Sequence, residues 1–315
     1  MSAHDPRLGD LLGRGLRAGG DPRAVLLGFP SDEGVRRNGG RPGAREGPAA
    51  IRRALRRLTP DPRDAERSAA LLERTADLGD LPVTGDLEAD QAGLADALAP
   101  WLGAGTFAIV LGGGHETAYG HFLGYVKAGR SVDLLNWDAH PDVRPALEGL
   151  GHSGSPFRQA LEHPGGRARS YTAAGLQPHA TARAHLDYVL GIGRASDKGG
   201  TRGAAPARGR AVFREEVTPT LARELYAVLQ SPALVSFDLD AVDQTAAPGV
   251  SAPTAGGLDP ALWLRLAALA GETPAVASAE VVEFNPAHDA DGATARLAAL
   301  TVWHLLAGLA RRIGA

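Results

Sequence analysis

The sequence has no cysteine. That single absence excludes disulfides, thiolate zinc sites, iron–sulfur clusters and cysteine nucleophiles together. An excess of one charge is missing as well: the formal net charge is −3, so the total balance does not argue for nucleic acid or a membrane surface as partner. No apolar run approaches the roughly 18 residues that a membrane helix requires. The polar stretch from Met1 to Arg7 lacks the apolar region of a signal peptide. A cytoplasmic location is the resulting expectation. Neither an internal repeat nor an interdomain linker is visible, so 1–315 reads as one domain with 1–20 as an N-terminal extension.

What is present is an ordinary globular composition, 44% hydrophobic and 22% charged. Short runs rich in Val, Ile, Leu and Phe at 24–29, 107–111, 132–136, 188–192, 233–237 and 277–282 are nearly continuous in hydrophobicity. Strands of a parallel sheet covered on both faces have this character. Helix patterns lie between them at 47–57, 86–102, 219–230, 259–270 and 294–311, with Pro48 and Pro219 where a first turn tolerates proline. The alternation predicts an α/β fold, a three-layer α/β/α sandwich around a mainly parallel sheet. Two segments, 60–68 and 195–209, read as loosely ordered.

Three of the apolar runs end alike. Residues 107–111 lead into GGGHE at 112–116, 132–136 into DAHPD at 138–142, and 233–237 into DLD at 238–240. In open parallel sheets, ligands bind beyond the carboxyl ends of the strands. Alternation along an extended chain gives 138, 140 and 142 one direction, and 238 and 240 another shared one. The set is Asp138, His140, Asp142, Asp238 and Asp240, with His115 as a sixth candidate. Four crowded carboxylates do not all stay ionised unaided, and two divalent cations would balance them. Oxygen-rich donors with two imidazoles favour Mn2+, with Zn2+, Fe2+, Co2+ and Ni2+ as alternatives. Glycines before His115 are expected to let the backbone turn sharply and approach the metals. Each motif alone is commonly a turn; the three together are not.

These segments, with 236–257, 280–286 and 39–52, resemble the ureohydrolase superfamily of arginase, agmatinase, guanidinobutyrase and formimidoylglutamase, over about 25–309 of this chain. The resemblance implies an arginase-like fold, two Mn2+ per subunit, and a trimer or hexamer. It assigns His115, Asp138, Asp142 and Asp238 to one manganese, and Asp138, His140, Asp238 and Asp240 to the other. It makes Glu283 the carboxylate for the planar cationic end of the substrate and Asp142 the group that protonates the leaving amine. Asp243 becomes a residue that orients its neighbours. Gln244 stands where many members carry proline.

Within the superfamily, DEGVRRNGG at 32–40, SGSPFRQ at 153–159 and GLQP at 175–178 look like the formimidoylglutamase branch. Arginases place a histidine where Ser153 stands. Here His152 is one position earlier, and either proton transfer or an orienting role is open to it. Arg158 is a candidate for pairing with a substrate carboxylate, the alternative being a surface salt bridge. The implied reaction is hydrolysis of N-formimidoyl-L-glutamate to L-glutamate and formamide by a metal-activated water, in histidine degradation. The alternatives are urea release from a guanidino substrate, or a catalytically silent binding protein. Arg52, Arg53, Arg56 and Arg57 read as a solvated helix face, the remaining histidines as surface or packing residues, and Trp263 and Trp303 as core or subunit contacts.

Overall fold

The computed structural model describes residues 6–18, 21–192 and 208–313. Among the described residues, eight strands form one sheet: β1 (Ala24–Phe29), β2 (Thr75–Asp80), β3 (Phe107–Gly112), β4 (Val132–Trp137), β5 (Ala168–Leu176), β6 (Arg208–Phe213), β7 (Ala233–Asp238) and β8 (Val276–Val282). Their spatial order is β2-β1-β3-β8-β7-β4-β5-β6, and every pairing is parallel. Side chains alternate between two apolar layers. Ala24 and Leu26 enter one, and Val25, Leu27 and Phe29 the other.

The first layer is closed by α1 (Leu8–Leu11), α3 (Gly47–Leu55), α4 (Ala65–Glu73), α9 (Pro219–Ala227), α10 (Pro260–Glu272) and α11 (Ala293–Ile313). The second is closed by α5 (Leu87–Ala104), α6 (Thr117–Lys127), α7 (Pro156–Glu162) and α8 (Arg183–Gly191). A short α2 (Glu33–Arg37) follows β1. Local chemistry starts several of these helices. Asp86, Thr218 and Asp259 accept hydrogen bonds from first-turn amides, and Pro219 and Pro260 occupy the tolerant first position. The window 290–313, around α11, is long and apolar enough to cross a membrane by composition alone, with a hydropathy of 1.3, but 67% of it is buried inside the protein.

Five of the six expected strands are present. The run at 188–192 instead belongs largely to α8, where Val189 alone is buried. A five-residue apolar run fits either helix or strand, and here neighbouring residues extend it to helical length. Strands β2 and β6 were missed because they are the sheet edges, half exposed and carrying Asp or Arg; β5 begins with polar residues. The segment 60–68 is ordered, contrary to expectation. Asp61 is buried, accepts the Arg63 amide, pairs with its guanidinium at 2.8 Å, and leads through a short turn into α4. Of the segment 195–209, only 208–209 lie within the described residues, and they begin β6. Arg52 is not solvated: it bridges to Asp77 at 2.9 Å and Asp80 at 2.6 Å, tying α3 to β2.

Candidate metal centre

The four central strands, β3, β8, β7 and β4, end at the same edge of the sheet. Their exits carry, in that spatial order, His115, Glu283, Asp238 with Asp240, and Asp138 with His140 and Asp142. Groups from distant parts of the chain meet because β7 and β8 insert between β3 and β4, which makes a crevice at the carboxyl ends of the strands.

On His115 Nδ1 three carboxylates converge: Asp238 Oδ2 at 2.8 Å, Asp142 Oδ2 at 3.0 Å and Asp138 Oδ2 at 3.3 Å. Beside them, His140 Nδ1 lies 3.1 Å from Asp240 Oδ2 and 3.4 Å from Asp138 Oδ1. Two groups result, His115–Asp138–Asp142–Asp238 and Asp138–His140–Asp240, each with its ligand atoms within 4.8 Å of one another. Asp138 belongs to both and could bridge two ions. Asp238 falls in the first group only, and its Oδ1 accepts the Asp240 amide at 2.8 Å. The double role that the resemblance gave Asp238 is therefore not reproduced by this side-chain arrangement.

Burial makes the charge problem acute. Desolvation penalises the imidazolium of His115, yet the three carboxylates around it override that and hold its pKa well above the usual value. His140, drawn chiefly by Asp240, is pushed up to about 12. Asp238 is raised by burial and by the charges of Asp240 and Asp138. The crowded acids demand positive charge, which either protonated histidines or bound cations would supply. Two details favour cations in that role. His115 Nδ1 is buried and makes no aligned hydrogen bond despite its three oxygen neighbours, and Asp240 Oδ1 is likewise buried and unpartnered. Moreover, His115 Nε2 lies 2.9 Å from Ser236 Oγ, so a proton on that nitrogen would leave Nδ1 with the lone pair a metal needs. Oxygen donors with two imidazoles and no thiolate fit Mn2+.

Glu283 adjoins the cluster. Its Oε1 accepts the His115 amide at 2.8 Å, and its own amide donates to Gly113 O at 2.8 Å. Burial, with Glu116 and Asp240 nearby, raises its pKa to about 8. Both Glu283 and Asp142 have left-handed backbones, with φ of 64° and 42°. Such strain, about 1–3 kcal/mol per residue, persists only where the surroundings impose it.

The glycines before His115 serve a different purpose from the expected one. None has positive φ. A Cβ on Gly113 would sit 1.9 Å from Ser31 O, and one on Gly114 would sit 2.5 Å from Val35 Cγ2. They allow the loop after β1 to pack on the turn after β3, independently of any metal.

The remaining sequence candidates have separate settings. Arg158 donates through Nε to Glu162 at 2.9 Å and lies 4.6 Å over the Tyr188 ring; its terminal nitrogens make no hydrogen bond among the described residues. His152 is buried, with Nε2 at 3.1 Å from Pro145 O and Nδ1 accepting the Gly154 amide, so both ring nitrogens are occupied by backbone. Ser153 accepts from Asn38 Nδ2 at 3.1 Å and donates its amide to Gly34 O. Asp243 accepts from the amide and hydroxyl of Thr245 and the amide of Gly256, clasping its own loop. After β1, Arg37 at the end of α2 pairs with Glu88 at 2.7 Å, and Arg41 donates to Val250 O and Ser251 O.

Sequence reasoning missed several supports. Asn136 donates to Asp138 Oδ2 at 2.9 Å, and Ser236 meets His115. Each stands two residues before an aspartate on the same strand face, a spacing that could have flagged it. Glu116, held by the Gly34 amide at 2.9 Å, carried no such signal.

Two ligand groups sharing Asp138 at the carboxyl edge of an all-parallel sheet suit a hydrolase of the two-metal type, and the chain belongs to the arginase family, whose model matches residues 22–308. It is 36% identical over 302 residues to the formimidoylglutamase of Rhodococcus jostii, covering 92% of this chain and 88% of that one. To the formimidoylglutamase of Klebsiella pneumoniae it is 38% identical over 289 residues, covering 89% and 84%. The structure of Trypanosoma cruzi formiminoglutamase with Mn2+ superposes with a TM-score of 0.82 at 31% identity, covering 98% of this chain and 99% of that one.

Proposed function

We propose that this protein hydrolyses N-formimidoyl-L-glutamate to L-glutamate and formamide, with two Mn2+ bound by His115, Asp138, His140, Asp142, Asp238 and Asp240. The observation that carries the reading is the pair of ligand groups sharing Asp138, with Glu283 beside them. The formimidoylglutamase relatives support the choice of substrate.

When bound, the two Mn2+ would supply Lewis acidity and make water nucleophilic at neutral pH. The chain supplies the rest. Glu283, fixed by the His115 amide, receives the planar amidinium and turns its trigonal carbon towards the ligands. Asp142 takes the proton of the attacking water and delivers it to the leaving nitrogen, since an amine leaves poorly unprotonated. Arg158, steadied by Glu162 and Tyr188, offers its two terminal nitrogens to a carboxylate of the glutamyl portion. His152 and Asp243 hold the loops around the crevice. The reading also takes 1–315 as one catalytic domain in a cytoplasmic homo-oligomer.

Purified protein loaded with Mn2+ should release formamide and glutamate from N-formimidoyl-L-glutamate and no urea from arginine, agmatine or guanidinobutyrate. Urea from any of these at a higher kcat/KM would overturn the substrate assignment.

A further inference from the structure

One level beneath the proposed ligands, a row of buried polar side chains crosses three adjacent strands. Register aligns Asn136 of β4 with Ser236 of β7, and Ser236 with Glu280 of β8. All three are fully buried, amid neighbours that are mostly apolar, such as Leu134, Leu234 and Val110. A charged carboxylate at such a depth is costly unless it has partners. Glu280 has one for a single oxygen: Oε2 lies 2.8 Å from His121 Nδ1. Its Oε1 is buried without a partner, as are Asn136 Oδ1 and His121 Nε2.

Counting protons gives this row a role. A His115 that presents the Nδ1 lone pair to a cation carries its proton on Nε2 and donates it to Ser236 Oγ, 2.9 Å away. The Ser236 hydroxyl then needs an acceptor for its own proton, since a buried unpaired hydroxyl is costly. Register offers two neighbours with an unpartnered oxygen, Asn136 and Glu280. The carboxylate is the stronger acceptor. Asn136 is already committed through its amide nitrogen to Asp138 Oδ2.

We propose that Glu280, oriented by His121, accepts the Ser236 hydroxyl proton through one buried water, and thereby fixes His115 as the tautomer that binds manganese. Ser236 and Glu280 are positioning residues: neither touches substrate or ion, and each acts through His115. Outer partners of this sort alter metal affinity by about 10–100-fold. The inference rests on the two-manganese reading.

The test is Mn2+ binding to metal-free protein, followed by electron paramagnetic resonance and calorimetry, with kcat and KM measured alongside. Ser236→Ala and Glu280→Gln should each weaken Mn2+ binding about tenfold, with KM unchanged, and Ser236→Thr should restore it. The double variant should bind no more weakly than Ser236→Ala, because Glu280 acts through the hydroxyl. Additive losses, or normal Mn2+ affinity in Glu280→Gln, would overturn the inference and leave the two-manganese reading intact. Absence of Mn2+ binding by the unsubstituted protein would overturn both. Should Glu280→Gln fail to fold, diffraction from the unsubstituted protein decides. Ser236 Oγ joined to Glu280 Oε1 by one water supports the inference, and Ser236 joined to Asn136 Oδ1 instead overturns it.

Discussion

Replacing Gly113 by alanine tests whether the turn after β3 is built for backbone packing. The new Cβ would stand 1.9 Å from Ser31 O, where ordinary contact begins at 3.4 Å, so the two segments must separate by about 1.5 Å. Ser31 O also accepts the Gly114 amide at 2.9 Å, and that bond would be lost. Overpacking of this degree costs about 1–3 kcal/mol, and a buried hydrogen bond adds about 1 kcal/mol. Together they lower Tm by roughly 4–8 °C at about 2 °C per kcal/mol for a chain of this size. The shift reaches the site directly, because Gly113 O holds the Glu283 amide and His115 follows two residues on. A displacement near 1 Å lowers kcat/KM about 100-fold. Differential scanning calorimetry and the formamide assay measure the two effects. Gly103→Ala, in α5 with no atom within 4 Å of the added Cβ, is the control and should leave both unchanged or raise Tm slightly. Unaltered Tm and kcat/KM in Gly113→Ala would refute the packing argument.

Asp138→Ala removes the carboxylate common to both ligand groups; activity should fall below detection and bound manganese below one ion per chain, as read by atomic absorption. Arg158→Ala should raise KM by at least about tenfold with kcat nearly constant, since losing even one of its two charge-assisted hydrogen bonds costs about 1.5 kcal/mol; an unchanged KM would assign Arg158 to its Glu162 and Tyr188 contacts alone. Chelation of Mn2+ should lower Tm by roughly 5 °C relative to protein in manganese at about 100 times Kd, a linkage worth about 2.7 kcal/mol. An identical Tm with and without metal would argue against a site that favours the folded state.

Much of the site was legible because its chemistry is concentrated in short motifs at strand ends. Alternation along an extended chain was expected to pair Asp138 with His140 and Asp238 with Asp240. Asp138 and His140 do share a ligand group, but Asp238 and Asp240 fall in different ones, because β4 and β7 end at 137 and 238 and the chain then turns, 239–241 as a short helix. Elements with weak hydrophobic signals were not legible. The edge strands β2 and β6 expose charged side chains, and their pairing depends on the neighbours rather than on their own composition. The run at 188–192 shows the converse, an apolar stretch whose conformation the surrounding helix decided.

By itself the sequence determined the layered α/β architecture, the strand-end positions of the acids and histidines, and the need for cations among crowded carboxylates. Hydrophobic period and charge are local properties, so they survive in a linear reading. Only the tertiary structure decided which strands stand side by side. The insertion of β7 and β8 between β3 and β4 brings Ser236 beneath His115, Glu283 beside it and Glu280 into the same buried row. Those relations follow from strand order and register, which are set by the packing of the whole sheet against its helices and leave no mark in residue spacing.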